Sequence, residues 1–233
     1  MLKNFKGFIF DLLFPKFCLS CQREGNYLCE DCQSTLGVLN THQKHQTHSP
    51  AGGLKDLYFA IDYQQPLIKN LIKLFKYQPF VKELGKPLTS LIITHFQLIE
   101  KSTADFVNFI LVPVPLERKK LKWRGFNQAE EIGKELAKFF GISLLNNVLA
   151  KIKETPAQVE LSEEERKENI RNAFSIKNGG QILGKKILLV DDVYTTGATM
   201  EECARVLKKA GAKEVIGIVI ARAAPGQDQS KNV

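Results

Sequence analysis

The sequence predicts an α/β fold in which helices flank a parallel β-sheet, preceded by a small cysteine module. Short apolar segments with strand character alternate with amphipathic helical segments along most of the chain, and this order is typical of parallel sheets. Four apolar residues at 187–190 indicate a strand that is buried on both faces. Four of the five cysteines form two Cys-X-X-Cys pairs near the start of the chain.

The cysteine pairs predict a structural zinc site. Cys18 pairs with Cys21, and Cys29 pairs with Cys32 after a gap of seven residues. Two such pairs can hold four thiolates around Zn²⁺ at roughly 2.3 Å. The alternative, two disulfides in a secreted module, is disfavoured because a reducing intracellular environment keeps thiols free. Four thiolates leave no open coordination position, so the ion is expected to stabilise the fold without taking part in chemistry.

A polar linker and a basic helix are expected next. The segment at 41–57 is rich in Gln, Lys, Ser, Pro and Gly, which is typical of a linker. Its three histidines are expected to be solvated rather than to bind a second metal: His42, His45 and His48. Residues 66–78 have helical periodicity, with one apolar face. The opposite face carries Lys69, Lys73 and Lys76.

The middle of the chain supplies further elements of the α/β pattern. Residues 109–114 predict a strand, and residues 128–140 predict a helix that Gly141 ends. A further strand is predicted at 142–149. The charged segment at 154–172 includes a helix expected from Ser162, where Glu165 completes a capping box.

The segment after the buried strand predicts a sugar-phosphate site. Asp191 and Asp192 follow the strand directly, and a Thr- and Gly-rich turn then leads into a helix predicted at 200–210. Ligands of open α/β sheets bind at this carboxyl edge, where the free N–H groups of a helix start can hold a phosphate. The two carboxylates are expected to face the ligand rather than the core and to accept hydrogen bonds from ribose hydroxyls, while Mg²⁺ bridges the sugar and a pyrophosphate. The predicted site residues are Asp191, Asp192, Val193, Tyr194, Thr195, Thr196, Gly197, Ala198 and Thr199.

The last elements are a strand at 213–221 and a tail. Cys203 occupies an apolar position of the preceding helix and is expected to be a buried free thiol. The residues after Pro225 are expected to be disordered.

These motifs carry a resemblance to a known family. The two aspartates and the Thr-Thr-Gly turn closely resemble the phosphoribosyl-pyrophosphate (PRPP) loop of type I phosphoribosyltransferases. Further segments follow the order seen in the ComF (competence protein F) family, and the similarity covers nearly the whole chain. These segments are residues 112–115 (VPVP), residues 124–128 (RGFNQ), Thr155 with Gln158, Arg166 with Asn169, and Ala173 with Phe174.

The resemblance implies a type I phosphoribosyltransferase-like sheet that binds PRPP or ribose 5-phosphate with Mg²⁺. It implies that the loop at 115–126 contacts pyrophosphate and that the segment at 154–172 closes over the substrate. Where the family pattern has an Arg before the Thr-X-X-Gln element, this chain has Lys151 and Lys153, which keep the charge but lose the bidentate fork. The implied pyrophosphate and lid residues are Arg118, Arg124, Gln158 and Arg166.

The expected organisation has four parts. An N-terminal helix and zinc ribbon occupy 1–40, the linker 41–57, the phosphoribosyltransferase-like domain 58–225 and the tail 226–233. No apolar run is long enough to span a membrane, and the apolar start lacks the cleavage site of a signal peptide. We therefore expect a cytoplasmic protein without a transmembrane segment.

Charge and resemblance together indicate a function with nucleic acid. The formal net charge of +8 favours anionic partners. The resemblance implies the handling of single-stranded DNA in natural transformation, together with other proteins of the DNA-uptake machinery. Phe126 stands beside the basic residues and is either a stacking ring or a core residue. The nucleic-acid candidates are Lys69, Lys73, Lys119, Lys120, Lys122 and Trp123.

Two other functions are considered. An active phosphoribosyltransferase would move phosphoribose onto a nucleobase, but no aromatic and amide segment after Lys213 indicates a base platform. A PRPP-sensing regulator would need a DNA-reading helix, and the sequence has no recognisable one.

Overall fold

The structure is a computed structural model that describes residues 15–43, 53–153 and 169–223. Its strands, in chain order, are β1 (Asp56–Asp62), β2 (Phe109–Pro113), β3 (Leu149–Lys151), β4 (Phe174–Ile176), β5 (Lys186–Val190), β6 (Val193–Tyr194) and β7 (Glu214–Arg222). Its helices are α1 (Glu30–Ser34), α2 (Pro66–Lys76), α3 (Gly85–Leu98), α4 (Arg118–Arg124), α5 (Gln128–Phe140) and α6 (Ala198–Lys209). Short 3-10 helices cover Lys82–Leu84, Thr103–Phe106 and Gly179–Gln181.

The main sheet is parallel, with the order β1–β7–β5–β2, and β6 also pairs with β7. Val190 at the end of β5 lies opposite Ile218 of β7. β6 continues beside β7, with Tyr194 opposite Arg222. The aspartate pair at 191–192 therefore lies between β5 and β6, at the carboxyl edge of the sheet.

Packed elements cover both faces of the sheet, so the side chains of β5 are buried on both sides. Leu188 and Val190 belong to a core cluster with residues of α2, α3 and α5. Ile187 and Leu189 belong to a second cluster, with residues of α6 and of the antiparallel β3–β4 ribbon. All four side chains are fully buried, which explains the uninterrupted apolar run. The predicted parallel sheet flanked by helices is confirmed, and Cys203 of α6 is buried as expected.

The strand predicted at 142–149 is wrong. Within this described segment, Leu144 forms one isolated bridge with Leu111 of β2. The strand that follows, β3, starts only at Leu149 and pairs antiparallel with β4. Two asparagines at 146–147 divide the apolar run, and asparagine favours turns over strands.

The described start of the expected linker packs on the sheet. β1 begins at Asp56, two residues before the expected domain start. His42 Nε2 lies 2.9 Å from Asp56 Oδ2, and its ring stacks on Tyr58 with the centroids 4.3 Å apart. The expectation that His42 is solvated is therefore wrong, because the side chain has a charged and an aromatic partner. His45 and His48 lie outside the described residues.

The cysteine module packs against α3. Gln33 Nε2 of α1 donates a hydrogen bond to Ser90 Oγ at 2.9 Å, and His95 Nδ1 donates to the carbonyl of Leu39 at 2.6 Å. Leu28 is buried in the same core cluster as α3. The module therefore shares the core of the main sheet, and the boundary at residue 40 stays a prediction.

Some expectations fall on residues outside the described ranges. They concern the N-terminal helix, the helix from Ser162 and the tail at 226–233. Among the helices that the structure does describe, none has the length and apolar character needed to cross a bilayer.

Candidate functional site

The four-cysteine cluster has the geometry of a metal site. The Sγ atoms of Cys18, Cys21, Cys29 and Cys32 all lie within 4.8 Å of one another, and Cys21 and Cys29 are 3.6 Å apart. Four sulfurs at about 2.3 Å from one tetrahedral ion would be about 3.8 Å apart. All four are free thiols. The cluster can therefore hold one Zn²⁺, as the spacing predicts.

Local turns bring the two cysteine pairs together. The carbonyl of Cys18 accepts a hydrogen bond from Gln22 N–H at 2.9 Å, which closes the first pair into a turn. Cys29 caps α1, and its Sγ accepts from Cys32 N–H at 3.5 Å. Cys18 N–H donates to the carbonyl of Arg23 at 2.9 Å, so the chain reverses between these residues, and Gly25 N–H donates to the carbonyl of Lys16 on the returning arm. The short segment thus presents all four thiols to one point.

The predicted phosphate turn lies directly before α6. Gly197 has a φ of 79°, and a Cβ at this position would lie 2.1 Å from Tyr194 Oη. Only glycine fits both the left-handed backbone and this close approach. Thr196 Oγ1 accepts from Ala198 N–H at 3.4 Å, and α6 starts at Ala198. The positive end of the α6 dipole therefore lies at the turn, where a phosphate is expected.

The two carboxylates have different surroundings. Asp192 is 6% exposed, and its Oδ1 forms an ion pair with Lys76 Nζ of α2 at 2.8 Å. Asp191 is half-buried, and its Oδ1 accepts from the backbone N–H of Asp192 at 2.9 Å. The sequence predicts that both carboxylates face the ligand rather than the core; one oxygen of Asp192 is instead held by α2 in this largely buried ion pair. Within the described residues, the second oxygen of each carboxylate has no hydrogen-bond partner.

Burial and charge shift the pKa values of this cluster. Burial, reinforced by the charge of Asp192, raises the pKa of Asp191 to about 7. Burial alone would lower the pKa of Lys76, but Asp192 and Asp191 together raise it above its ordinary value. Lys76 is therefore a permanent cation at this edge of the sheet.

Arg124 lies close to the carboxylates. Burial lowers the pKa of its guanidinium, and the charge of Asp192 acts in the opposite direction. Its NH1 donates to Gln128 Oε1, and Gln128 Nε2 donates to the carbonyl of Phe75 at 2.8 Å. Arg124 Nε is buried and has no hydrogen-bond partner in the described part of the chain. The side chain is thus held by the protein but keeps a donor for a ligand.

Residues 125–127 each have a structural role at the junction of α4 and α5. Gly125 ends α4 in a left-handed conformation, and Asn127 caps α5 by accepting from Ala129 N–H at 3.1 Å. Phe126 is 7% exposed and packs against Phe75. Of the two interpretations of Phe126, the core residue is therefore confirmed.

The strand β3 contributes a further cation, Lys151, near Asp191. Lys151 of β3 is half-buried, and burial together with the charge of Lys120 lowers its pKa, while Glu117 and Asp191 act in the opposite direction. The position at which the family pattern has an Arg thus carries an ammonium within electrostatic reach of Asp191. Lys120 also contacts Glu117, at 3.9 Å.

The comparisons with known proteins agree with this fold. A family model described as "Phosphoribosyl transferase domain" matches residues 125–232. Competence protein F of Haemophilus influenzae is 37% identical over 211 residues, which cover 90% of this chain and 86% of that protein. The chain belongs to the competence protein F family. DNA utilization protein YhgH of Salmonella typhi is 32% identical over 198 residues (85% of each chain), and Competence protein ComFC of Streptococcus pneumoniae is 29% identical over 209 residues (88% of this chain and 80% of that protein).

This member of the competence protein F family has the phosphoribosyltransferase-like fold that the sequence predicts. Of the remaining residues predicted to bind nucleic acid or pyrophosphate, those that the structure describes lie on different helices and differ in exposure. Arg118, Lys119 and Lys122 are exposed on α4, and Lys73 is exposed on α2. Lys69 Nζ donates to Gln64 Oε1 at 2.8 Å. Gln158 and Arg166, the implied lid residues, lie outside the described residues.

Trp123 is the exposed ring of the basic segment. It is 60% exposed and contacts Phe80 edge-on, with the ring centroids 4.6 Å apart. Tyr77, on the same turn as Phe80, is 50% exposed. The predicted aromatic and basic character of this surface is therefore present, with Phe80 and Tyr77 in place of Phe126.

Sequence reasoning missed Lys76 as a site residue. Its spacing from Lys69 and Lys73 assigns it to a solvated helix face, because the pattern carries no information on what the end of α2 contacts. The sequence contains no signal for its role, because the segment at 124–128, which the end of α2 contacts, is distant from it in sequence.

We expect Cys29→Ser to release zinc and to unfold the cysteine module locally, because the substitution removes one of four thiolates. Wild-type protein should contain one zinc per chain by elemental analysis, and hydrogen exchange should show the loss of protection at α1 but not at β5. Cys203→Ser is the matched control, since Cys203 is a buried free thiol outside the cluster. Wild-type protein that is purified without chelators and contains no zinc would contradict the assignment.

We expect Asp191→Asn to stabilise the ligand-free protein at alkaline pH. The pKa of Asp191, about 7 when folded, exceeds the value of about 3.9 in an unfolded chain. The stability linked to its protonation is complete below pH ~4 and is lost as the pH rises through ~7. The variant should therefore gain about 2 °C or more in Tm at pH 8 relative to its gain at pH 5.

Differential scanning calorimetry at the two pH values measures this difference. Glu135→Gln is the control, because it removes the same charge from a surface pair with Lys138. Equal shifts in Tm at both pH values for Asp191→Asn would show that the pKa of the Asp191 carboxyl is not raised in the folded protein.

Proposed function

We propose that this protein handles single-stranded DNA during DNA uptake in natural transformation, and that its phosphoribosyltransferase-like site binds PRPP or ribose 5-phosphate with Mg²⁺. The names of the relatives, Competence protein F and DNA utilization protein, support the first part. The second part depends on one observation, the assembly of the Gly197 turn, the start of α6 and the two carboxylates at one edge of the sheet.

The chemistry of this edge fits a phosphorylated sugar. A phosphate at the turn would accept from the first N–H groups of α6. The unengaged oxygens of Asp191 and Asp192 would accept from vicinal hydroxyls. Oxygen atoms are also what Mg²⁺ prefers, so the same carboxylates fit a magnesium-bound sugar phosphate, in which the ion neutralises pyrophosphate charge. Arg124, with its unpaired Nε, would bind a second anionic group.

The exposed face of α4 supports binding of single-stranded DNA. Lys119 and Lys122 are exposed beside the ring of Trp123. Cations that follow a phosphate backbone, combined with rings that stack on bases, bind single strands with little sequence preference. Since Arg124 is the last residue of α4, this surface continues into the sugar-phosphate site.

Active phosphoribosyl transfer is the second candidate. The observation that favours it is the group of cations around the carboxylates, Lys76, Arg124 and Lys151, which would stabilise pyrophosphate as a leaving group. Release of pyrophosphate from PRPP in the presence of a nucleobase, with formation of the nucleotide, distinguishes this function from binding alone.

We expect Asp191→Asn to weaken PRPP binding by about 10-fold or more, because a hydrogen bond to a charged group contributes about 1.5–3 kcal/mol. Isothermal titration calorimetry with PRPP and Mg²⁺ measures the loss. The variant is expected to be at least as stable as wild type, so weaker binding cannot be attributed to unfolding. Glu135→Gln is again the matched control, and undiminished affinity in Asp191→Asn would refute the assignment of the carboxylate.

We expect the triple variant Lys119→Ala, Lys122→Ala and Trp123→Ala to bind a single-stranded oligonucleotide more weakly at low salt. Each phosphate contact that is lost should reduce the slope of log K against log salt by about 0.7. Fluorescence anisotropy over a range of salt concentrations measures both effects.

The control for net charge is Lys177→Ala with Lys185→Ala, because both lysines are exposed and Lys185 precedes β5, at the opposite edge of the sheet. Wild-type affinity and salt slope in the triple variant would exclude α4 as the DNA-binding surface.

A further inference from the structure

We propose that Lys76 is a positioning residue of the sugar-phosphate site, which orients Asp192 and supplies a built-in positive charge that lets the site bind a sugar phosphate without Mg²⁺. This inference rests on the proposed binding of PRPP or ribose 5-phosphate. Lys76 lies in α2, before the residues that match the phosphoribosyl transferase model.

The contact is a largely buried ion pair. Lys76 Nζ lies 2.8 Å from Asp192 Oδ1, and the side chains are 26% and 8% exposed. Such a pair is poorly screened by solvent, and the loss of one partner leaves an uncompensated buried charge. Loss of Lys76 would therefore leave the carboxylate of Asp192 without a partner in a buried position.

The end of α2 is held rigidly, so the ammonium has a fixed position. Phe75 is fully buried, and its carbonyl accepts the hydrogen bond from Gln128 of α5. Its ring packs against Phe126, with the centroids 5.5 Å apart. The residue that follows the helix, Tyr77, donates its backbone N–H to the carbonyl of Lys73 at 2.8 Å. A cation in the last turn is also favoured by the helix dipole.

The pair leaves Asp192 ready for a ligand. Lys76 occupies Oδ1, so the carboxylate cannot rotate freely, and Oδ2 has no partner among the described residues. The positive charge also offsets one of two adjacent negative charges, at a site that has to admit a phosphate dianion. Without Lys76, Asp191 and Asp192 would repel the ligand unless a divalent cation neutralised them.

The charge of Lys76 predicts a specific change in the metal dependence of ligand binding. Wild-type protein is expected to bind ribose 5-phosphate both with and without Mg²⁺. Lys76→Met is expected to lose about 10-fold or more in affinity without the metal, since an interaction with a charged group is removed. Added Mg²⁺ should restore most of the loss, because the ion replaces the missing charge.

Isothermal titration calorimetry of ribose 5-phosphate, with Mg²⁺ and with EDTA, tests the proposal. Lys82→Met is the matched control, because the side chain of Lys82 is exposed and pairs with Glu131 at 3.4 Å, away from the two aspartates. Lys76→Arg should retain metal-free binding, since it keeps the charge. Melting curves of each variant identify any loss of folded protein, and Lys76→Gln, which keeps a donor, replaces Lys76→Met if the latter does not fold.

The outcomes separate this proposal from the function on which it rests. If wild type fails to bind ribose 5-phosphate and PRPP under both conditions, the proposed function is refuted and the inference with it. If wild type binds and Lys76→Met binds equally well in EDTA, the role of Lys76 is refuted and the site stands. An equal loss of affinity with and without Mg²⁺ would show that Lys76 only supports the structure, and would also overturn the proposal.

Discussion

The backbone pairing of the aspartates with β7 is the constraint on which the site depends. Asp191 N–H donates to the carbonyl of Ile218 at 3.1 Å, and Ile220 N–H donates to the carbonyl of Asp192 at 3.0 Å. The acidic pair is therefore part of the sheet, and successive side chains of a strand point to opposite faces. Asp192 follows Leu188 and Val190 towards the side of α2, where it meets Lys76. Asp191 follows Ile187 and Leu189 towards the side of α6 and β3, where Lys151 influences it. The two aspartates thus have cations on opposite faces of the sheet, Lys76 of α2 on one face and Lys151 of β3 on the other.

The cysteine module packs on the helix layer that covers one face of the sheet. It contacts α3 through a side-chain hydrogen bond, a histidine and a buried leucine, and α3 in turn covers the sheet face that carries Asp192. A metal bound by the four cysteines would do no chemistry, but it would stabilise a module that packs on the layer facing Asp192. The module is too short to form a core of its own, which is why its apolar side chains enter the core of the main sheet.

The features that the sequence predicts correctly are those encoded locally. The run at 187–190, the helix at 128–140 and the spacing of the cysteines each contain their own signal, and the structure reproduces them. The partner of Asp192 could not be predicted, since it comes from a helix more than a hundred residues earlier and depends on how α2 lies across the sheet. Phe126 was ambiguous for the same reason, because a ring among cations is buried or exposed according to packing against Phe75. The prediction of a strand at 142–149 was wrong because it gave the apolar residues more weight than the two asparagines at 146–147, which favour a turn.

The exposed ring of α4 gives the protein a natural optical reporter. Trp123 is the single tryptophan of the chain, and it lies in the cationic helix α4, one residue before Arg124. Its emission therefore reports one location, without interference from a second indole. A nucleobase stacked on the ring would quench this emission, whereas a sugar phosphate without a base would leave it nearly unchanged. Unlabelled protein can thus reveal, in a single titration, whether a ligand reaches α4 or stops at the turn before α6.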